Sequence, residues 1–248
     1  MSFRRRVVAV YGRIWRTYRG SAPAILLLAA VVFLPLGLLD ALTTNVEIDA
    51  LNVTNGIKVA AILVAVGAVT TTGLIGEVFF SGAIAISLSH RADEHPPGLR
   101  EIAGRLNYGR LIAVDLIFVA TIVVGLLLGA LPGLLAFVWL GLAGPVVELE
   151  GRSARGALLR SVRLVRGNFW LVFWVLVPVE LLGEAISELL SAGIHAAAGE
   201  SFVATWLGEA AANIALSPVF ALAAALLTIQ LIGERRSDPP VHSAPMTA

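Results

Sequence analysis

Cysteine is absent from the 248 residues, and charged residues make up only 14% of them. Without cysteine the chain has no disulfide bond, no thiolate metal site and no cysteine nucleophile. About a quarter of the residues of a typical soluble domain are charged. A chain with so few charges, 58% hydrophobic residues and a mean hydropathy of +0.87 therefore belongs to the membrane class.

Sequence motifs of common catalytic and metal sites are also missing. The four histidines lack His-Glu-x-x-His or any comparable ligand spacing. Neither a Gly-x-Ser-x-Gly nucleophile motif nor a phosphate-binding loop ending in Gly-Lys-Ser/Thr occurs. The basic residues alternate with apolar ones, a pattern that favours lipid over nucleic acid as the partner. We expect a protein that is not an enzyme, with no catalytic residue, metal, cofactor or nucleic-acid partner.

Long apolar runs, in contrast, are abundant. A helix of roughly 20 apolar residues crosses a hydrocarbon core about 30 Å thick. Six runs fit such a crossing, which predicts an all-α integral membrane protein with six transmembrane helices in a single domain over residues 1–236. The predicted spans cover residues 22–42, 57–80, 111–131, 134–147, 169–190 and 205–232. The tail, residues 237–248, is rich in Pro, Ser and small residues and is predicted to be disordered and cytoplasmic.

The second apolar run is longer than one straight crossing requires, because it stays apolar as far as Ser89. It must tilt, protrude or break. Gly73, Gly76 and Gly82 mark the place where we expect a break, since glycine tolerates backbone conformations that end a helix.

Glycines also recur near the end of span three. Gly125, Gly129 and Gly133 are four residues apart, the spacing that lets helices approach closely. We expect this set to serve packing inside the protein rather than a dimer contact. The turn between spans three and four is predicted at residues 131–133, where Pro is followed by Gly.

Basic residues lie almost entirely on one side of the predicted spans. Seventeen of the 18 are arginines, which occur before span one, between spans two and three, between spans four and five, and after span six. The single lysine, Lys58, falls on the other side. Because Lys and Arg of short loops are retained in the cytoplasm, this asymmetry predicts an even number of spans with both termini cytoplasmic.

A short basic amphipathic segment precedes each odd-numbered span. Its apolar residues recur every three to four residues, and the three sets are Phe3, Val7, Val10, Ile14 and Tyr18, then Leu99, Ile102 and Leu106, then Ala157, Leu158, Val162 and Val165. Helices of this kind lie in the headgroup layer, with the apolar side in lipid and the arginines near anionic headgroups. We therefore expect three span pairs, each preceded by a basic interfacial helix. The alternative is that the segments are basic only because cytoplasmic loops are.

A motif of about thirty residues surrounds the third basic segment, GPVVELEGRSARGALLRSVRLVRGNFWLVFW over residues 144–174. Its defining positions are Pro145, Glu150, Gly151, Ala157, Arg160, Ser161, Leu164, Arg166, Gly167, Phe169 and Trp170. The stretch resembles a widespread bacterial family of polytopic membrane proteins, similar to the membrane domain found in some glycerophosphoryl diester phosphodiesterases. The phosphodiesterase catalytic domain has no counterpart in this chain. The resemblance implies a multi-pass fold in the bacterial inner (cytoplasmic) membrane, without hydrolase activity.

Five residues of this motif are candidates for binding lipid headgroups: Arg155, Arg160, Arg163, Arg166 and Trp170. Arg160, Arg163 and Arg166 are three residues apart and are expected to form a basic stripe, with aromatic rings at the interface where the next span begins. One interpretation is an anchor that sets the depth and topology of the helix. The other is specific recognition of an anionic lipid headgroup.

Acidic residues inside the predicted spans are the second set of candidates, because a charge in the bilayer is costly. They are Glu77, Glu180 and Glu184. Glu180, Glu184 and Glu188 share one face of span five, which either lines a cavity that binds a cation, a proton or an amine, or reaches water because the span is shallow. Asp115 and Glu148 are expected near the interface, each paired with an arginine.

These observations give two functional hypotheses. The first is a non-enzymatic inner-membrane protein that organises or senses lipid, or supports envelope integrity, with anionic membrane lipids as partners. The alternative is a small transporter or permease accessory that uses the acidic stripe of span five. A homo-oligomer or a further membrane protein remains open as a partner in both.

Overall fold

The computed structural model describes residues 2–44, 76–89, 98–199 and 201–237. Over these ranges the chain forms helices and no strand, so the predicted all-α class is confirmed. The helices are α1 (Phe3–Thr44), α2 (Glu77–Leu88), α3 (Leu99–Arg105), α4 (Tyr108–Leu128), α5 (Ala130–Leu140), α6 (Ala143–Glu150), α7 (Ala154–Arg166), α8 (Phe169–Ala198) and α9 (Phe202–Ser237).

Five stretches of the described chain are long and apolar enough to cross a membrane: Phe3–Leu38, Tyr108–Leu128, Ala130–Glu150, Phe169–Ile194 and Trp206–Arg235. They correspond to predicted spans one, three, four, five and six. Most of the predicted second span, residues 57–80, lies outside the described residues. Its described part contains the start of α2, a helix that continues to Leu88, beyond the predicted end at residue 80. The predicted tail also lies outside the described residues, except for Ser237, which ends α9.

Helix α1 bends at Ser21, where φ is −126° and ψ is 16° and the backbone leaves the helical conformation. Pro23 follows two residues later. Its ring lacks an N–H and crowds the carbonyl group four residues earlier, which bends the helix at this place. The bend separates the arginine-rich first part of α1 from its apolar part, next to the predicted start of span one.

Helix α1 packs along α9, and the two helices run antiparallel. At one end the Arg6 guanidinium forms an ion pair with Glu234 at 2.8 Å. Farther along, the Trp206 indole N–H donates to the Leu34 carbonyl oxygen at 3.0 Å. The beginning of α1 and the end of α9 therefore lie side by side.

Arginines from several helices gather at the end of the bundle where Arg6 lies. Arg235 of α9 donates to the carbonyl oxygen of Arg163 near the end of α7. Arg110, near the start of α4, donates to the carbonyl oxygen of Gly151 at 3.0 Å. We call this the arginine-rich end. Arg6, Arg110, Arg163 and Arg235 thus lie at one end of the protein, whereas α1 carries its further arginines along α9 toward Ala215, to which Tyr18 donates.

The apolar faces of the basic segments are covered by other helices. Val10 and Ile14 of α1, Ile102 of α3, and Leu164 and Val165 of α7 are all buried in one core. These five residues are therefore covered by protein rather than by lipid, whereas Phe3 of the same pattern is 46% exposed and Leu106 lines a groove on the outside of the bundle. An amphipathic period requires only that one face leaves water, and neighbouring helices provide an apolar surface for it.

Helix α2 lies in the middle of the bundle, in contact with α4, α6 and α9. It begins directly after Gly76, whose φ of 96° is left-handed, so no regular helix runs through this glycine. Gly82, a second expected break point, lies inside α2, where the missing side chain leaves room for Leu111 of α4. Gly73, the third expected point, lies outside the described residues.

Helices α4 and α5 form a hairpin whose turn lies at Gly129, with a φ of 138°. The predicted turn at residues 131–133 is therefore wrong. Pro132 occupies the first turn of α5, where its missing N–H needs no partner within the helix. A methyl group on Gly125 would lie 2.7 Å from the Gly133 Cα, so the predicted use of these glycines for internal packing is confirmed.

Replacing Gly144 by alanine should loosen the contact between α6 and α2. An added methyl group would lie 2.7 Å from Ser81 Oγ and would overlap the Val78 carbonyl oxygen. We expect Gly144→Ala to lower the free energy of unfolding by about 1–3 kcal/mol, the usual cost of overpacking a core. Thermal unfolding in detergent, followed by tryptophan fluorescence, measures the change.

Gly183→Ala on α8 is the matched control, because nothing lies within 4 Å of a methyl group added there. Alanine is the better helix former, so this variant should be as stable as the wild type or slightly more so. Equal destabilisation by both changes would contradict the role given to the α2–α6 contact.

Candidate functional site

Arg160 of α7 is bound to Glu150 at the end of α6. Its Nε donates to Oε1 and Oε2 at 3.0 and 3.1 Å, and its Nη2 donates to Oε1 at 2.8 Å. Only 18% of the Arg160 side chain and 10% of the Glu150 side chain are exposed, and Arg152 adds a second ion pair to Glu150. Arg160 is thus engaged inside the protein, where it joins α6 to α7.

The other headgroup candidates are exposed. Arg155, Arg163 and Arg166 lie on the outer side of α7, and Trp170 at the start of α8 is 62% exposed. The expected single stripe that includes Arg160 is wrong, because three residues advance a helix by about 300° and each step therefore turns back by about 60°. The exposed arginines and Trp170 remain close to one another along the chain at the arginine-rich end.

Glu77 is the most enclosed of the acidic candidates. It is the first residue of α2, its side chain is 5% exposed, and its Oε2 has no hydrogen-bond partner among the described residues. The buried Ser217 of α9 lies within hydrogen-bonding reach of this carboxyl group. Two further carboxyl groups, those of Glu180 and Asp115, are near enough to interact with it electrostatically.

Asp115 of α4 holds the start of α2. Its Oδ2 accepts a hydrogen bond from the Gly76 N–H at 2.7 Å, while Oδ1 is buried without a partner among the described residues. The expected pairing of Asp115 and Glu148 with arginines is wrong. Arg110 donates instead to a backbone carbonyl, and Glu148 accepts from the Asn107 backbone N–H at 3.0 Å.

The three acidic residues on one face of span five differ in their exposure along α8. Glu180 is partly buried and turned toward Glu77, whereas Glu184 and Glu188 are exposed. Glu180 and Glu184 are one helical turn apart and interact electrostatically. The stripe therefore reaches from the outside of the bundle into its interior.

A groove opens between α1, α3 and α4, with a volume of about 610 Å³. We call it the lateral groove; it is lined by Leu28, Val31, Val32, Pro35, Leu36, Gly76, Phe79, Arg100, Ala103, Leu106, Tyr108, Ile112, Asp115 and Leu116. Its polar side chains are those of Arg100, Tyr108 and Asp115. Arg100 and Tyr108 belong to α3 and the start of α4, at the arginine-rich end, whereas Asp115 lies about two turns deeper along α4.

Three polar residues of these sites were not among the sequence candidates. The sequence indicated only a basic segment around Arg100 and Tyr108, and nothing in the sequence places these residues beside α1. Ser217 precedes Pro218 in an apolar span, and a buried hydroxyl in such a span is the signal that could have found it.

Comparison with protein-family models, with curated proteins and with solved structures finds no match to the chain. The resemblance to the bacterial polytopic family therefore stays a prediction. Within the described ranges, no three His, Cys, Asp or Glu side chains converge closely enough to hold a metal ion.

Replacing Arg160 by glutamine should destabilise the protein rather than merely alter its surface. The change removes hydrogen bonds to a carboxylate that is only 10% exposed. Loss of such a bond costs about 2 kcal/mol. We expect Arg160→Gln to lower the thermal unfolding temperature in detergent.

Arg155→Gln on the same helix is the control. Arg155 is exposed, and a surface change of this kind usually alters the free energy of unfolding by less than about 0.5 kcal/mol. If the two variants unfold at the same temperature, the ion pair between α6 and α7 does not contribute to stability.

Proposed function

We propose that this protein is a non-enzymatic, multi-pass protein of the bacterial inner membrane that binds an anionic phospholipid in the lateral groove. The observation that carries the proposal is the apolar groove of about 610 Å³ with Arg100 in its lining at the arginine-rich end. The groove thus has the polarity of a lipid, charged at one end and apolar along most of its length.

The apolar walls accommodate an acyl chain without selecting strongly among lipids. Leu28, Val31 and Leu116 offer branched aliphatic side chains to the groove. An acyl chain in a bilayer is already surrounded by hydrocarbon, so moving it into the groove adds packing contacts and no hydrophobic driving force. Selection therefore depends on the headgroup.

Arg100 supplies that selection. A guanidinium group binds phosphate oxygens with two parallel hydrogen bonds, and its permanent charge favours a headgroup of net negative charge over one whose phosphate is neutralised by an ammonium group. The neighbouring Arg105 is already paired with Glu101 on the same helix, at 2.7 Å. On α3, Arg100 is the arginine that lines the groove.

In this proposal the lipid belongs to the cytoplasmic leaflet, because Arg100 lies at the arginine-rich end. The beginning of α1 and the end of α9 lie side by side, which supports an even number of crossings. The gathering of arginines at the same end supports a cytoplasmic location for both termini. The proposal keeps six spans in three pairs.

The exposed arginines of α7 provide a second, weaker contact with anionic lipid. Arg155, Arg163 and Arg166 are free of carboxylate partners among the described residues, and the exposed Trp170 follows them at the start of α8. Long basic side chains and tryptophan both favour the headgroup region. These residues attract anionic headgroups in general, whereas the groove holds one lipid molecule.

Native mass spectrometry of the purified protein with phosphatidylglycerol or phosphatidylcholine tests the groove. The wild type should retain phosphatidylglycerol in preference to phosphatidylcholine. Arg100→Gln should reduce bound phosphatidylglycerol at least fivefold, because the phosphate loses its charged partner. Leu116→Trp, which fills the groove, should displace both lipids.

Arg105→Gln is the matched control on α3, since Arg105 lies outside the groove lining and pairs with Glu101. It should leave lipid retention unchanged. Retention of phosphatidylglycerol at the wild-type level by both Arg100→Gln and Leu116→Trp would refute the groove as the binding site.

The transporter alternative remains a prediction, and the observation that favours it is the enclosure of Glu180 beside Glu77. The exposed Glu184 and Glu188 cannot by themselves line a cavity. Any path for a cation therefore has to use carboxyl groups of helices other than α8.

A further inference from the structure

Carboxyl groups from three helices follow one another through the bundle. Glu184 and Glu180 lie on adjacent turns of α8, Glu77 begins α2, and Asp115 belongs to α4. We call these four carboxyl groups the row. Glu184 and Glu180 are four residues apart and share one helix face, and Asp115 binds the N–H of Gly76, the residue before Glu77. Glu180 is near enough to Glu77 for an electrostatic interaction.

The two ends of this row have different surroundings. Glu184 is exposed on α8, on the side of Glu180 away from the arginine-rich end. Asp115 lines the lateral groove, which opens toward Arg100 and Tyr108. The row therefore joins an exposed carboxyl group to a groove that opens at the opposite end of the protein.

Two hydrogen-bond acceptor atoms in the middle of the row lack a donor among the described residues. Glu77 Oε2 and Asp115 Oδ1 are buried without hydrogen-bond partners among the described residues. Burial of an unpaired polar atom costs about 1–3 kcal/mol, so such atoms call for a function. Both belong to side chains that are 5% exposed.

The groups that face Glu77 are acidic or neutral. Among the described side chains around α2, α4 contributes Asp115, α8 contributes Glu180 and α9 contributes the hydroxyl of Ser217. Neighbouring carboxyl groups in a medium of low polarity do not all carry charge at once, so the row holds protons.

We propose that Glu184, Glu180, Glu77 and Asp115 form a path for protons between the exposed end of the row and the lateral groove. In each step a protonated carboxyl group gives its proton, through a bridging water, to the neighbouring carboxylate. The donor is left ionised and is reprotonated from the side of Glu184. The net result is the transfer of one positive charge along the row, without any covalent bond other than O–H being broken or formed.

Proteoliposomes that contain the full chain and a trapped pH-sensitive dye test this path. A potassium gradient with valinomycin sets the membrane potential, and the rate of internal pH change is recorded. The wild type should move protons faster than protein-free liposomes. Glu180→Gln and Glu77→Gln should each reduce the protein-dependent rate at least tenfold, because an amide does not pass on a proton.

Glu188→Gln is the matched control, since Glu188 lies one turn beyond the row and is exposed. It should keep the wild-type rate within about twofold. Gel filtration and thermal unfolding report whether each variant is folded; if Glu77→Gln is not, Glu180→Gln decides, and Glu77→Asp, which retains the carboxyl group, should keep measurable flux. A wild-type rate equal to that of protein-free liposomes, or wild-type flux in folded Glu180→Gln, would overturn the proposal.

The same variants separate this path from lipid binding. Glu180→Gln should retain phosphatidylglycerol in native mass spectrometry, because Glu180 does not line the groove. Arg100→Gln should keep its proton flux while it loses the lipid. Simultaneous loss of both properties in both variants would contradict the independence of the proton path.

Discussion

The hydrogen bond from the Gly76 N–H to the Asp115 carboxylate, 2.7 Å long, satisfies a backbone donor at the buried start of α2. The first N–H groups of a helix have no partner within it, and the hydrocarbon of a bilayer offers none. Gly76 adopts a left-handed backbone conformation that turns its N–H toward α4. Residues that carry a side chain rarely adopt this conformation. Because this contact fixes where α2 begins, it also places Glu77 next to Ser217 and beside Glu180.

Helix α2 in turn organises the packing around it. Gly144 brings α6 against its backbone, and Gly82 admits Leu111 of α4. These contacts depend on missing side chains rather than on large apolar ones, as expected where helices associate without a hydrophobic driving force between them. The lateral groove lies where this close packing ends and α1 separates from α4.

Hydrophobic length predicted most of the helices, because a span has to match the bilayer whatever it packs against. The bend at Ser21 and the interruption at Gly76 also follow from local chemistry, that of proline and glycine. The identity of the groups that cover each helix face does not follow from local chemistry. The period of α7 indicates an apolar side and a basic side, yet it cannot reveal that the protein covers the first or that Glu150 binds Arg160. Glu77 and Glu180 could be predicted because a charged group in a membrane is energetically costly. The positions of Arg100 and Ser217 beside other functional groups depend on the packing of helices distant in sequence.

The pairing of α1 with α9 brings together residues separated by 228 positions in the chain, such as Arg6 and Glu234. Contacts between distant parts of a chain form late, because everything between them has to be in place first. The buried face of α1 near Val10 and Ile14 therefore stays without its final partner while the intervening helices are synthesised and inserted. The packing of α1 is therefore complete only when α9 has been inserted beside it, although α8 and α2 reach α1 earlier.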